Sequence, residues 1–229
     1  MAGDSIDSAL SMRPRAHNIL SYSVTLMVFV AVALLRCSAE GAQVGGNDSL
    51  MLASFLWCFH FARRTWESAF VHRYSKPVVP VSDVITEYIY YWVFAAWNAY
   101  ALTSPNYDVR VGPLTLIGVA IFLIAESCNA NSHRMLRNLR APGSSTRVIP
   151  RGFLFEWVSS PHYLFEILSW VGFTLVAQTW AALAFLTVGA VILCGWARSR
   201  HLAYKKDFDG TGDKELYPQQ RRALIPFVF

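Results

Sequence analysis

Four groups that can carry or pass protons fall between positions 156 and 166 of an otherwise apolar stretch: Glu156, His162, Tyr163 and Glu166. Ser160-Pro161 reads as a helix start, with Ser160 as the cap and Pro161 at the first helical position. In that helix His162 and Glu166 share a face at i, i+4, and Tyr163 and Glu166 do so at i, i+3. Ionisable groups at membrane depth are costly and usually line a cavity or a polar path. A plainer reading is an interfacial helix with Trp157 and Tyr163 in an aromatic belt. Glu166, with Trp170 beyond it, lies deep for a belt.

A second candidate lies just upstream. Arg134, Arg137 and Arg140 recur every three residues, along one side of a helix that continues out of an apolar run. Ala141-Pro142-Gly143 stops that helix, and Arg147 and Arg151 follow. Guanidinium forks each hold two oxygens, which suits a ligand with several phosphates. The same residues would also serve as a basic anchor at the end of a membrane span.

The elements that must position these groups are set by composition. The chain has 229 residues, 54% hydrophobic and only 15% charged, where soluble domains carry about a quarter charged. The apolar residues come in six blocks, 18–35, 48–62, 84–102, 111–130, 153–178 and 180–197. The first, fourth and sixth are clean runs long enough to cross ~30 Å of hydrocarbon as helices. The second is short and ends at Arg63-Arg64. The expected architecture is an all-α polytopic membrane bundle of about six transmembrane helices. With both termini cytosolic, 18 of the 20 Lys and Arg residues fall in cytosolic segments, a strong positive-inside bias.

No small-x-small site ends the first apolar run, so no cleavage is expected after it. Cys37, Cys58, Cys128 and Cys194 form no CxxC pair and read as apolar fillers, with neither disulfide nor metal implied. The net charge of +5 suits anionic headgroups, nucleotides or coenzyme A phosphates alike, and no nucleic-acid partner is expected. Neither GxGxxG nor a Walker loop is present, so a nicotinamide site would have to be built from spans and their loops. The bulky apolar residues 224–229 imply a tail that is packed or dipped in lipid.

Several pieces together resemble the steroid 5α-reductase superfamily, and most closely its trans-2-enoyl-CoA reductase branch. They are Phe70-Val71-His72-Arg73-Tyr74-Ser75, Tyr90-Tyr91-Trp92-Val93-Phe94-Ala95-Ala96-Trp97, Leu136-Arg137-Asn138-Leu139-Arg140 with Pro142-Gly143, Val158-Ser159-Ser160-Pro161-His162-Tyr163, Ser169-Trp170-Val171-Gly172-Phe173, and Tyr217-Pro218 through Ile225-Pro226-Phe227. The resemblance covers about 57–229 in unbroken order. It implies NADPH-dependent reduction of a double bond conjugated to a carbonyl, here that of a long- or very-long-chain enoyl-CoA, the last step of fatty acid elongation. Tyr163 is then the proton donor, and Arg63 stands where the branch tends to have lysine, as a positioning or electrostatic group. Asn129, Arg137, Arg140, Arg147, His162, Glu166 and Tyr204 become cofactor ligands, with Glu166 orienting His162 or the cofactor amide.

The sequence departs from the family where His162 replaces the usual asparagine, so that its charge would depend on pH. A second departure is the longer polar loop 209–216. The resemblance further implies an endoplasmic reticulum membrane, a site facing the cytosol, an acyl-CoA substrate, lipid-bilayer contact and other elongation-cycle enzymes as partners. Residues 1–17 read as a disordered cytosolic segment, too short for the ubiquitin-like region of better-known enoyl-CoA reductases, and 18–229 as the membrane-embedded reductase domain. The alternatives are a steroid or polyprenol reductase, an isoprenylcysteine-type methyltransferase of related architecture, and a non-enzymatic membrane scaffold.

Overall fold

The structure is a computed structural model, which describes residues 11–40, 47–74, 78–139, 147–212 and 214–229. The described residues form six α-helices, one from each apolar block: α1 (Pro14–Glu40), α2 (Asp48–Phe70), α3 (Val81–Leu102), α4 (Pro113–Asn138), α5 (Pro161–Ala177) and α6 (Trp180–Asp207). Helices α1, α4 and α6 are long and apolar enough to cross a membrane. The protein is an all-α membrane protein.

Three differences from the sequence reading matter for the site. Helix α2 does not end at Arg63-Arg64 but runs to Phe70, so both arginines sit inside a helix, facing neighbours. Its end is satisfied by the Val71 and His72 N–H groups, which both donate to the Glu67 carbonyl. Within the segment 1–17 the described residues are structured: Ser11–Met12 (β1) pairs antiparallel with Val79–Pro80 (β2), and α1 begins at Pro14. Ser160 occupies the N-cap of α5, but its hydroxyl makes no cap bond. Pro161 supplies the helical start, and the Ser160 carbonyl accepts from Tyr163 and Leu164 N–H.

Caps explain the other boundaries. Asn47 starts α2 by accepting from Leu50 N–H at 3.0 Å, while its own amide donates to the Tyr107 carbonyl at 3.0 Å. Thr179 starts α6 by accepting from Ala182 N–H at 3.1 Å. Gln178, left-handed at φ 50°, turns the chain between α5 and α6, which makes these two helices neighbours.

The core is aromatic. Trp57 of α2 is fully buried and lies 4.9–5.4 Å, ring to ring, from Phe29, Phe61, Trp170, Phe173 and Phe185. These rings come from α1, α2, α5 and α6, so one side chain ties four helices. His60, one turn further along α2, is 4.4 Å from the Trp170 ring. The aromatic core is therefore the floor beneath the polar groups described below.

Helices α4 and α5 approach most closely at Gly118 and Gly172. A Cβ at Gly172 would meet the Gly118 carbonyl at 2.6 Å and the Phe122 backbone nitrogen at 2.6 Å. Small residues permit such backbone contact between membrane helices. Because the opposing atoms are backbone, Gly172→Ala has to push the two helices apart. The expected loss is about 1–3 kcal/mol, typical of overpacking, read as a lower melting temperature in detergent. An unchanged melting temperature would show that the crossing is not close-packed.

Candidate active site

The groups singled out on α5 and α2 meet in one buried network, with partners that the sequence reading passed over. Arg63 is its hub. Its Nε donates to Glu126 Oε2 at 2.5 Å, Nη1 to Glu67 Oε1 at 2.5 Å, and Nη2 to Asn129 Oδ1 at 2.9 Å. Asn129 Nδ2 passes this on, donating to the His162 carbonyl at 2.7 Å and to Glu166 Oε2 at 3.1 Å. Glu166 thus orients Asn129 rather than the His162 ring. Its other oxygen faces His60 Nε2 at 3.1 Å.

His60 is placed between two carboxylates, with Nδ1 at 2.7 Å from Glu126 Oε1. Ionised carboxylates only accept hydrogen bonds, so each ring nitrogen must carry its hydrogen. His60 is then an imidazolium. With Arg63 and Arg64 it supplies three cations against Glu67, Glu126 and Glu166, and the network closes without net charge. Buried charges are tolerated only when paired and hydrogen-bonded in this way.

Arg64 extends the network to the end of the bundle where α4 leaves the core. Its Nη1 donates to Glu67 Oε2 at 2.8 Å and lies 3.0 Å from His133 Nε2, and Nη2 donates to the Tyr22 hydroxyl at 3.2 Å. Glu67, His72 and His133 bring their donor atoms within 4.8 Å of one another, a spacing a metal ion would accept. The Arg64 guanidinium, however, bonds both Glu67 and His133, so a cation already stands among these ligands. Burial, with Arg64 and Arg63 nearby, pushes the His72 imidazole down to about 3, so this ring is neutral at ordinary pH. His72 Nε2 and His162 Nδ1 are buried and have no protein partner among the described residues.

Tyr163 stands at the edge of this network. Its ring is 4.2 Å from that of His162, and its hydroxyl accepts from Arg200 Nη2 at 3.2 Å. The Arg200 guanidinium also lies over the Tyr163 ring, 5.2 Å from its centroid. The ring is half-buried. On its other side the ring is 6.1 Å from that of exposed Trp196 of α6.

Arg147 and Tyr204 meet at the end of α6, and Arg137 stands at the end of α4. Arg147 pairs with Asp207 and lies over the ring of Tyr204, 5.6 Å from its centroid. Tyr204 is buried and stacks on Tyr217 with ring centroids 5.4 Å apart. Arg137 is exposed at the end of α4, where its carbonyl accepts from Arg73 Nη1 at 3.1 Å. Arg140 and the helix stop at 141–143 lie outside the described residues.

The tail holds the start of α5 in place. Fully buried Arg221 donates to the Pro150 carbonyl at 2.7 Å and pairs with Glu156 at 3.3 Å. The Gly152 N–H, and then Arg221, hold the Glu156 carboxyl below the usual carboxylate range. Backbone bonds Ser159 N–H to the Arg222 carbonyl and Arg222 N–H to the Trp157 carbonyl, at 2.8 and 2.9 Å, stitch the tail to residues 157–159. The Ser159 hydroxyl contacts His201 Nδ1 at 2.6 Å and the Tyr217 hydroxyl at 2.7 Å. Glu156, grouped by sequence with the α5 residues, therefore belongs to this clasp.

Comparison with known proteins fits this geometry. The profile of the family described as 3-oxo-5-alpha-steroid 4-dehydrogenase matches residues 77–229. The chain is 36% identical over 210 residues to the very-long-chain enoyl-CoA reductase of Dictyostelium discoideum, covering 92% of this chain and 68% of that protein. It is 33% identical over 222 residues to the mouse protein named trans-2,3-enoyl-CoA reductase-like, covering 92% of this chain and 60% of that one. It is 30% identical over 232 residues to bovine 3-oxo-5-alpha-steroid 4-dehydrogenase 1, covering 96% and 84%. The chain thus belongs to the steroid 5α-reductase family, on the side that includes the enoyl-CoA reductases.

Proposed function

We propose that the protein reduces the trans-2 double bond of long- and very-long-chain enoyl-CoA with NADPH, closing the fatty acid elongation cycle. The observation that carries this reading is Tyr163: a half-buried phenol, bonded by Arg200, beside a buried network that includes Asn129, His162 and Glu166. Six membrane-crossing helices, with both termini and the site on the cytosolic side of the endoplasmic reticulum, would place it where acyl-CoA and NADPH are available. Other elongation-cycle enzymes are natural neighbours there.

The residues fit a nicotinamide nucleotide. His162 Nδ1 is a buried polar atom with no protein partner among the described residues, and the Asn129 amide donates to the carbonyl of the same histidine and to Glu166. Exposed Arg134 and Arg137 at the end of α4 supply forks for phosphates. Bound NADPH supplies the hydride that adds to the substrate's β carbon.

The protein's own residues then handle charge and proton. Negative charge develops on the thioester oxygen as the β carbon is reduced, and the α carbon needs a proton. The Tyr163 hydroxyl gives that proton, since a positioned phenol O–H can act as general acid to the α carbon of an enolate. The Arg200 N–H stabilises the oxygen that is left, because a hydrogen bond to an ionised acceptor is stronger than one to a neutral acceptor. Arg63 donates from each of its three nitrogens, to Glu126, Glu67 and Asn129, so its part is to hold these groups in place. His60 does the same for Glu126 and Glu166.

The test is nucleotide oxidation by the purified protein with a long-chain trans-2-enoyl-CoA. Turnover with NADPH, and at least tenfold less with a steroid enone, is the expected result. Reduction of the steroid enone alone would move the protein to the steroid side of the family. No oxidation with any acceptor, and no NADPH binding, would overturn the reading.

A further inference from the structure

The tail runs on from α6 and then packs back against it. Helix α6 carries no charged residue over 180–197, and its first is Arg198. The chain then stays polar through 205–215 before turning apolar again at 223–229. Leu224, 1% exposed, sits in one cluster with Ala197, Ala223, Ile167, Leu164, Cys194 and Tyr163. Ile167 and Cys194 belong to the uncharged parts of α5 and α6. Leu224 therefore holds the tip against the sides of α5 and α6.

Their outward face is apolar. Phe227 is 73% exposed and Val228 76% exposed, and Phe227 touches the ring of exposed Trp157 at 5.1 Å. Phe227 adopts φ 66°, a left-handed conformation that is rare for a bulky residue and reverses the chain. Part of the tip's backbone is paired within it. Leu224 and Ile225 N–H donate to the Phe229 carbonyl at 2.6 and 2.5 Å, and Val228 and Phe229 N–H to the Ile225 carbonyl at 3.2 and 3.0 Å. Pro226 has no N–H to satisfy. The tip's groups left unpaired among the described residues, such as the Phe227 N–H and the Val228 carbonyl, need water or headgroups, which suits the membrane interface rather than the hydrocarbon centre. Exposed Arg198 and Arg222 flank the tip, where they can meet headgroup phosphates.

We propose that the tip 224–229 dips its apolar outer face into the bilayer interface beside α5 and α6 and forms the lipid-side wall of the Tyr163 site. Its inner face, Leu224, packs in the cluster that includes the catalytic tyrosine. Its outer face, Phe227 and Val228, meets acyl chains of the leaflet. The lipid contact stands on geometry alone. The consequence for a substrate whose chain lies in that leaflet rests on the proposed function.

The experiment uses the full chain in phosphatidylcholine liposomes, with p-benzoylphenylalanine placed at position 227, at Val191 as a span control, and at Leu216 as a loop control. After irradiation, intact mass should show phospholipid adducts at 227 and 191 and none at 216. No lipid adduct at 227 while 191 reacts would overturn the proposal. A cross-linked dimer at 227 would also overturn it, making the tip an interface between copies. In the kinetic arm, Phe227→Gln should raise KM for a long-chain enoyl-CoA about tenfold, the order of effect expected when a ring that acyl chains cover is made polar. KM for a short, water-soluble enoyl-CoA should not change. Equal effects on both substrates would overturn the wall. A protein silent on every enoyl-CoA would sink the reductase reading and leave the adducts to decide the lipid contact.

Discussion

Tyr163→Phe is expected to lower kcat by on the order of 10²–10⁴-fold, the usual contribution of a positioned general acid, while NADPH affinity stays within a factor of two or so. The substitution removes one oxygen and keeps the ring. The contacts with His162, Trp196 and the Leu224 cluster remain, so the helix start at Pro161 is not disturbed. The oxygen's bond to Arg200 is at the half-exposed edge of the site, and its loss leaves Arg200 free to reach water, so stability changes little. A hydride-transfer step that no longer has a proton to follow it would show as loss of turnover with the nucleotide still bound. The measurement is the pair of values, kcat from nucleotide oxidation and Kd from nucleotide fluorescence. Turnover within threefold of the parent would remove Tyr163 from the chemistry and leave the reaction standing.

The helices were legible in the sequence because each is a long apolar block, and a lipid-facing helix has little else to specify. The start of α5 was legible too, since proline at the first helical turn has a local cause. The clean runs at the first, fourth and sixth blocks are the three helices long and apolar enough to cross a membrane. The buried network was only half legible. Asn129, His162 and Glu166 stood out, but Glu126 was lost as one acid in an apolar run. The signal that was there is periodic: His60, Arg63, Arg64 and Glu67 fall at i, i+3, i+4 and i+7, one face of a helix. Treating Arg63-Arg64 as a loop boundary broke that pattern. The positive-inside count put both arginines in a cytosolic segment, but the structure spends them on carboxylates of α2 and α4. Charge counts along a chain cannot tell a loop cation from one neutralised inside the bundle. The tail's clasp was less legible still, since Arg221 bonds a carbonyl that is 71 positions away.

Removing Arg63 alone should be more damaging to the fold than removing it together with a partner. In Arg63→Met the Glu126 and Glu67 carboxylates stay buried, each with one cation fewer. Breaking a buried pair from one side costs about 3–5 kcal/mol. For a chain of this size each kcal/mol moves the melting temperature by about 2–4 °C, so a fall of roughly 6–20 °C is expected. In Arg63→Met with Glu126→Gln one charge of each sign is gone, and the count of two cations against two anions is again balanced. His60 Nδ1 then donates to an amide oxygen in place of a carboxylate. The double variant should melt above the arginine variant, with a coupling of about 0.5–3 kcal/mol between the two sites. Turnover should recover in neither, because Asn129 has lost the Arg63 Nη2 bond that aims its amide at His162 and Glu166. Stability and activity thus separate, as they would not if Arg63 were only a structural filler. If the two single losses simply add, within about 0.5 kcal/mol, the three cations and three carboxylates do not act as one network, and the placement of Asn129 must come from backbone packing between α4 and α5 instead.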